Sequence, residues 1–325
     1  MNMKHYRSLE EVTLQNSWLT VGVFDGVHRG HQEVIKILTT GAQATGAPSV
    51  VLTFDPHPAK VFGRGDIKML SLPDERAELL GEMGVDIVIT HPFNMDVANI
   101  TARDFMSRIK ERLGLKHLVL GYDFALGKNR EGNVMRLTEI GRELDYAVEV
   151  ASALSDESGV ISSTEIRKLI STGNVAEAAR LMGHPYALHG PVIHGDGRGK
   201  RINVPTANID YSHEKMIPAN GIYACWAYLQ GDTSTSASAP PSVAAQQLSV
   251  HRAAINIGIN PTFTPDKQTP NVEVHLLDFD REIYGQDVRL EFVARLRDEL
   301  RFDSVDMLVE QIWKDVDETR RILQQ

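Results

Sequence analysis

The sequence predicts an α/β chain of two modules: a doubly wound parallel sheet followed by an antiparallel sheet or small barrel that ends in a helix. Three observations carry this. Apolar, β-branched runs recur about every 30 residues in the first half, the length of a strand–helix–strand unit. From about Gly183 the texture changes to strand-like runs punctuated by glycine and proline, with no helical pattern between them. The chain has 325 residues, enough for two domains at about 150 residues each.

The first-half runs are Leu19–Phe24, Val50–Phe54, Val85–Ile89, His117–Leu120 and Ala147–Val150. Their near-continuous hydrophobicity suits parallel strands buried on both faces, and five are expected. Helices are expected over His31–Thr45, Pro73–Met83 and Thr101–Leu113. In the last two, Leu79, Leu80 and Met83, and then Phe105, Ile109 and Leu113, fall on one face. Ligands of such a sheet sit beyond the carboxyl ends of its strands. Two helices in Ser163–Met182 bridge the halves, and the boundary is placed near residue 184, giving modules 1–184 and 185–325.

Second-half strands are expected at Tyr186–His194, Gly221–Leu229, Ala253–Ile259, Val272–Leu277 and Val288–Val293. The closing helix starts near Ser304, its cap, with Val305, Leu308, Ile312, Val316 and Leu323 as its apolar stripe. Residues 231–247 (GDTSTSASAPPSVAAQQ) read as a tolerated hairpin insertion rather than a lid.

Composition narrows the function. Hydrophobic residues are 42% and charged residues 24%, ordinary for a globular protein. The formal charge of −9 argues against a nucleic-acid partner. The single cysteine, Cys225, lies in a strand-like run and fits a buried thiol in a reducing compartment. No apolar run approaches the ~18 residues of a membrane span, and MNMKHYRSLEE does not read as a signal peptide. A cytoplasmic protein without a membrane partner is expected, monomeric or weakly self-associating.

The strongest motif is Gly22-Val-Phe24-Asp25-Gly26-Val-His28-Arg-Gly30-His31, where the first expected strand gives way to the first helix. Glycines 22, 26 and 30 allow a tight turn and close backbone approach to a ligand. A helix opening at Gly30 or His31 offers free N–H groups and a positive dipole end to an anion. His28 and His31 can donate to oxygens that gain charge in a transition state. Six fixed residues arise by chance with odds on the order of one in 10⁵, so a phosphate site is preferred to an incidental turn. Neither the Walker order nor a dinucleotide fingerprint is present. The pattern resembles the H-x-G-H nucleotidyltransferase superfamily, in which both histidines stabilise the α-phosphate and the departing pyrophosphate.

A second anion site is read at Ser162-Ser163-Thr164-Glu165-Ile166-Arg167, hydroxyls at a helix start with an arginine one turn on. An N-cap alone explains the hydroxyls equally well. Thr53-Phe54-Asp55-Pro56-His57-Pro58 and Gly121-Tyr122-Asp123-Phe124-Ala125-Leu126-Gly127 close the second and fourth strands at the ligand edge. Their phenylalanines could face a flat ring or pack in the core, and their aspartates could be turn formers.

The second half carries His194-Gly195-Asp-Gly197-Arg198-Gly199-Lys200-Arg201 and then Val204-Pro205-Thr206-Ala207-Asn208. Glycines and cations make a basic loop suited to phosphates, though a solvated hairpin turn would read alike. Thr206 and Asn208 offer hard oxygens suited to Mg²⁺. Glu273, in the alternating segment Val272-Glu273-Val274-His275, could face solvent or serve as a base.

Together TVGVFDGVHRGHQ, TFDPHP, GYDFALG, ISSTEIRKLISTGNVAEAARLMGHPY, the glycine-rich loop with PTAN, INIGINPTF, VEVHLLDFDREIYG and LRDELRFDSVDMLVEQIWKDVDETR resemble the prokaryotic bifunctional riboflavin kinase/FAD synthetase family nearly end to end. The resemblance implies an amino-terminal FMN adenylyltransferase (FAD synthetase) module and a carboxyl-terminal riboflavin kinase module, a Greek-key β-barrel with a terminal helix. It implies riboflavin, FMN and ATP as substrates, FAD as product, and Mg²⁺. In the adenylyltransferase it assigns ATP to Gly22, Phe24, Asp25, Gly26, His28, Gly30, His31, Asp123, Ser163, Thr164 and Arg167, with His28, His31 and Arg167 catalytic. It puts flavin near Phe54, Pro56 and Pro58. In the kinase it assigns ATP to Gly195, Gly197, Gly199, Lys200, Thr206 and Asn208, the metal to Thr206 and Asn208, the general base to Glu273, and flavin to Arg297, Glu299 and Arg301.

The chain departs from the family pattern at Asn203-Val204 before PTAN, at Ala125 and Leu126, and at His184. The first departure motivates an alternative, a monofunctional FAD synthetase whose barrel only binds flavin. A flavin-binding regulator without turnover is a third reading, disfavoured by intact His28, His31, Thr206, Asn208 and Glu273.

Overall fold

A computed structural model describes residues 3–156, 159–195, 204–230, 248–258 and 270–324. The chain divides into two compact units, 1–163 and 164–325.

The first unit is built on a parallel sheet of six strands: β1 (Lys4–Tyr6), β2 (Ser17–Val21), β3 (Ser49–Asp55), β4 (Ile87–Pro92), β5 (Leu115–Gly121) and β6 (Ala147–Ala151), in the order β1-β4-β3-β2-β5-β6. Five strands are expected from sequence. The sixth, β1, is a three-residue edge strand beside β4, too short and polar to show as an apolar run. The expected burial on both faces is found. Leu19, Val50, Leu52, Ile89, Leu118 and Leu120 join one core with α3 (Ala102–Leu113) and α4 (Val134–Leu144). Their alternates Trp18, Val51, Val88 and Val119 join another with α1 (Arg29–Thr45) and α2 (Pro73–Glu82). The connection from β2 leads to β3 on one side, and that from β5 to β6 on the other. The strand order therefore reverses between β2 and β5, the place where sheets of this kind take their ligands.

The second unit opens with α5 (Ser163–Ser171), which begins at the division between units, and α6 (Val175–Met182). A sequence boundary at 184 groups both helices with the first module. In the structure α6 buries Val175, Ala178, Leu181 and Met182 and packs on barrel strands. The barrel is closed and antiparallel: β7 (Tyr186–Ile193), β8 (Ala207–Ile209), β9 (Gly221–Gln230), β10 (Leu248–Gly258), β11 (Asn271–Leu276) and β12 (Asp287–Arg297), in the order β7-β8-β11-β10-β9-β12. Five strands are expected here too. The added β8 is three residues, the last two of PTAN and Ile209, too brief to show as a strand-like run. Cys225 is buried in β9, and burial pushes its thiol pKa up, as befits an inert packing residue.

Helix α7 (Val305–Ile322) is capped by Ser304, whose Oγ accepts from Met307 N at 3.3 Å. Ile312 and Val316 pack on Ala254 and Leu277. Val305 is exposed, so the stripe begins one turn later than its spacing suggests, at half-buried Leu308. The insertion at 231–247 lies outside the described residues.

Candidate functional site

In the first unit the histidine loop leaves β2 at the switch point. Its backbone is strained: Phe24 and Val27 have φ of 50° and 39°, and Gly26 has 78°. For non-glycine residues, above all a β-branched valine, each such position costs on the order of 1–3 kcal/mol and persists only where the surroundings hold it. The hold is visible. The buried Asp25 carboxylate accepts from Leu70 N at 3.1 Å and from Ser71 N at 2.9 Å, and Gly26 N donates to Ser71 Oγ at 2.8 Å.

Helix α1 starts on this loop at Arg29, one or two residues ahead of expectation, with His28 at its N-cap. The His28 side chain makes no capping bond, and no acidic residue lies in the first turn. The first intrahelical bond from a backbone donor is Gln32 N to His28 O. The amides of Arg29, Gly30 and His31 therefore precede the helical ladder and can meet an anion. His28 and His31 stack at 3.6 Å between ring centres, and Phe24 meets His31 edge-on at 5.2 Å. Among the described residues, the buried His31 Nδ1 has no hydrogen-bond partner. Burial, then the neighbouring His28 and Arg76, lower the His31 pKa well below the ordinary histidine value, so the resting ring is neutral. A neutral imidazole donates through one nitrogen, and a nearby polyphosphate would favour its protonation.

The two anion motifs meet: Ser163 Oγ donates to the Asp25 carbonyl oxygen at 3.0 Å. Exposed Thr164 and half-buried Arg167 follow on α5. Asp123 is exposed in the turn after β5, beside the switch point, and its carbonyl accepts from Arg130 at 3.3 Å. Phe124 and Leu126 pack against the core, so the core alternative holds for that segment.

At the end of β3, Phe54 is half-buried. It meets Phe93 edge-on at 5.3 Å, and Phe62 meets Phe93 at 6.0 Å. Pro56 is exposed and Pro58 opens a single-turn helix, Pro58–Val61. Phe62, with 49% of its surface exposed, and Phe93 extend an aromatic wall that sequence reading missed. Phe93 directly follows β4, whereas Phe62 caps the single-turn helix Pro58–Val61, a place that no local pattern marks.

In the second unit, strand register assembles the site. Asn208 on β8 stands opposite Glu273 on β11, which stands opposite Asn256 on β10. Residues so paired share a face, here the one opposite buried Val272 and Val274. Glu273 is half-buried, intermediate between the open alternatives. Asn256 Oδ1 is buried without a hydrogen bond among the described residues, an acceptor that sequence reading missed. Half-buried Thr206 precedes β8, and His275 Nδ1 lies 2.8 Å from the Pro205 carbonyl, fixing this approach to β11. Gly195 passes so close to Asn208 that a Cβ would lie 1.9 Å from its side-chain nitrogen, so any larger residue there would displace the Asn208 amide. Gly197, Gly199 and Lys200 lie outside the described residues, as does Asn203, whereas Val204 is buried.

Arg297 ends β12 turned to α7: Nη2 and Nε reach the Asp315 carboxylate at 2.7 and 2.9 Å. Glu299 is exposed and accepts from Asn220 Nδ2 at 3.1 Å, and Arg301 is exposed.

A doubly wound unit with an anion-ready histidine loop, followed by a barrel with a polar strand row, defines a two-module transferase. The FAD synthetase family model matches residues 10–165, and the riboflavin kinase family model matches residues 182–323. The bifunctional riboflavin kinase/FMN adenylyltransferase of Listeria monocytogenes is 36% identical over 322 residues, 98% of this chain and 96% of its own length. That of Escherichia coli strain K12 is 33% identical over 310 residues, 95% and 93% of the two chains. A Streptococcus pneumoniae crystal structure, described as a macrolide-efflux protein, is 31% identical with a TM-score of 0.85, covering 98% and 99%. The chain belongs to the bifunctional riboflavin kinase/FMN adenylyltransferase family. It is an enzyme of flavin-nucleotide synthesis with a kinase module and an adenylyltransferase module.

Proposed function

We propose that the chain phosphorylates riboflavin with ATP to FMN in its barrel and adenylylates FMN with a second ATP in its first unit, giving FAD and pyrophosphate. The observation that carries the second step is the stacked His28–His31 pair over the open start of α1 at the switch point. An FMN phosphate oxygen attacks the α-phosphorus of ATP, and the bond from that phosphorus to the bridging oxygen breaks. The first-turn amides and the histidine N–H groups stabilise the charge that develops. Ser163, Thr164 and Arg167 take the leaving pyrophosphate. Gly22, Phe24, Asp25, Gly26 and Gly30 shape the loop, with Asp123 toward the nucleoside. Phe54, Pro56 and Pro58 line the flavin side, and Phe62 and Phe93 extend it.

In the barrel, Glu273 takes the proton of the ribityl 5′-hydroxyl as that oxygen attacks the γ-phosphorus and ADP leaves. Gly195, Gly197, Gly199 and Lys200 belong to the phosphate loop. The hydroxyl of Thr206 and the amide oxygen of Asn208 are hard donors that fit Mg²⁺ accompanying ATP, which when bound neutralises phosphate charge. Glu299 and Arg301 face the flavin, and Arg297 acts there by anchoring this strand end on Asp315.

In functional terms we keep the modules at 1–184 and 185–325. No helix among the described residues is long and apolar enough to cross a membrane. We place the enzyme in the cytoplasm as a monomer or weak homo-oligomer, with no nucleic-acid or membrane partner. The test is a chromatographic time course with riboflavin, excess ATP and Mg²⁺, repeated from FMN. FMN that rises and then converts to FAD supports both steps; FAD from FMN with no product from riboflavin overturns the kinase assignment.

A further inference from the structure

Arg76 on α2 is 1% exposed, a burial that arginine seldom reaches. Its Nη1 donates to Thr53 Oγ1 at 2.9 Å and lies 3.5 Å from the Phe54 carbonyl oxygen. Its Nη2 donates to the Ser71 carbonyl at 3.1 Å, and Nε has no hydrogen-bond partner among the described residues. The acceptors lead to both halves of the adenylyl-transfer site. Thr53 Oγ1 donates onward to the Val23 carbonyl at 2.9 Å, at the root of the histidine loop. Ser71 holds Asp25 and Gly26 in the strained turn. Phe54 begins the flavin-side segment. One planar guanidinium therefore spans the ends of β2 and β3 and the segment before α2, a geometry that a lysine's point charge does not reproduce. Burying a guanidinium is costly, and an apolar residue would fill the same volume more favourably for folding alone.

We infer that Arg76 is a positioning residue for adenylyl transfer, fixing the histidine loop against the Phe54–Pro58 segment and so the nucleotide against the attacking flavin phosphate. This rests on the proposed reading of those segments as ATP side and flavin side. An error of about 1 Å in such an arrangement can cost 10²-fold in rate.

The test uses the full chain with R76K, R76M and T53V, each assayed for FAD from FMN and for FMN from riboflavin. Rates are normalised to the folded fraction of each variant, read by circular dichroism. R76M is expected to lower the adenylyl-transfer kcat about 100-fold and R76K about 10-fold, with KM for ATP little changed. T53V removes the route to Val23 while keeping the charge, and is expected to lower kcat several-fold. Riboflavin kinase activity should stay at the wild-type level in all three. If R76M does not fold, R76K and T53V decide. A wild-type kcat per folded chain in both overturns the inference alone, and so does a loss confined to KM. A wild-type chain that makes no FAD from FMN overturns the underlying reading, and this inference with it.

Discussion

The two sites are built by opposite means. In the first unit a strained loop, with Phe24 and Val27 at positive φ, is held by buried polar groups: Asp25, Ser71, Thr53 and Arg76. In the barrel, the polar row Asn208–Glu273–Asn256 follows from antiparallel register on regular strands. The first site depends on a network that can be broken at a distance from the chemistry. The second depends on a ladder in which each side chain can be exchanged while the backbone stays in place. Lesions behind the first site should therefore reach its chemistry, whereas lesions in the second row should act one side chain at a time.

The sharpest break is at Glu273. E273Q keeps the shape and removes the base, so FMN formation should fall about 10³-fold while FAD formation from FMN persists, read by chromatography from each substrate. In the first unit, H31A should lower adenylyl transfer about 10²–10³-fold, as loss of one transition-state donor does elsewhere. Its thermal midpoint should stay close to wild type; a rate near wild type would reduce His31 to a turn residue.

A third change separates anchoring from chemistry in the barrel. D315A leaves Arg297 partly buried without its bidentate partner and should cost roughly 3 kcal/mol of stability, measured as an earlier urea midpoint of kinase activity. Adenylyl transfer should keep its own midpoint.

The smallest effect concerns pH. Burial, with His28 and Arg76, lowers the His31 pKa in the folded state, so below the ordinary histidine value of 6.5 the unfolded chain binds more protons. Stability of the first unit should therefore be complete above that value and decline as pH falls through it. Burial lowers the pKa of His5 and His91 in the same direction, so H31N should reduce the decline without abolishing it. Thermal unfolding at pH 7.5 and 5.5 reads the difference. An unchanged slope would mean that His31 titrates normally.

Much of this was legible in the sequence. The apolar runs of β2 to β6 give the sheet, and the glycine–histidine spacing gives the loop after β2. What was hidden has physical causes. Strands β1 and β8 are three residues each, too short for a period to show. Arg76 lies within an ordinary charged helix pattern, PDERAELL, and only its burial distinguishes it. Asn256 gains meaning from register with Glu273, a pairing between segments that local pattern does not encode. Val305 looks apolar and in phase, yet α7 makes its contact with the barrel further along, through Ile312 and Val316.

On the proposed reading, one chain carries two chemically separate sites joined by FMN. That reading is tested most directly with E273Q and H31A given riboflavin, ATP and Mg²⁺, each alone and then mixed. E273Q alone should form neither product, H31A alone should stop at FMN, and the mixture should make FAD through FMN released into solution. FMN from E273Q at the wild-type rate, or FAD from H31A alone at the wild-type rate, would contradict the account.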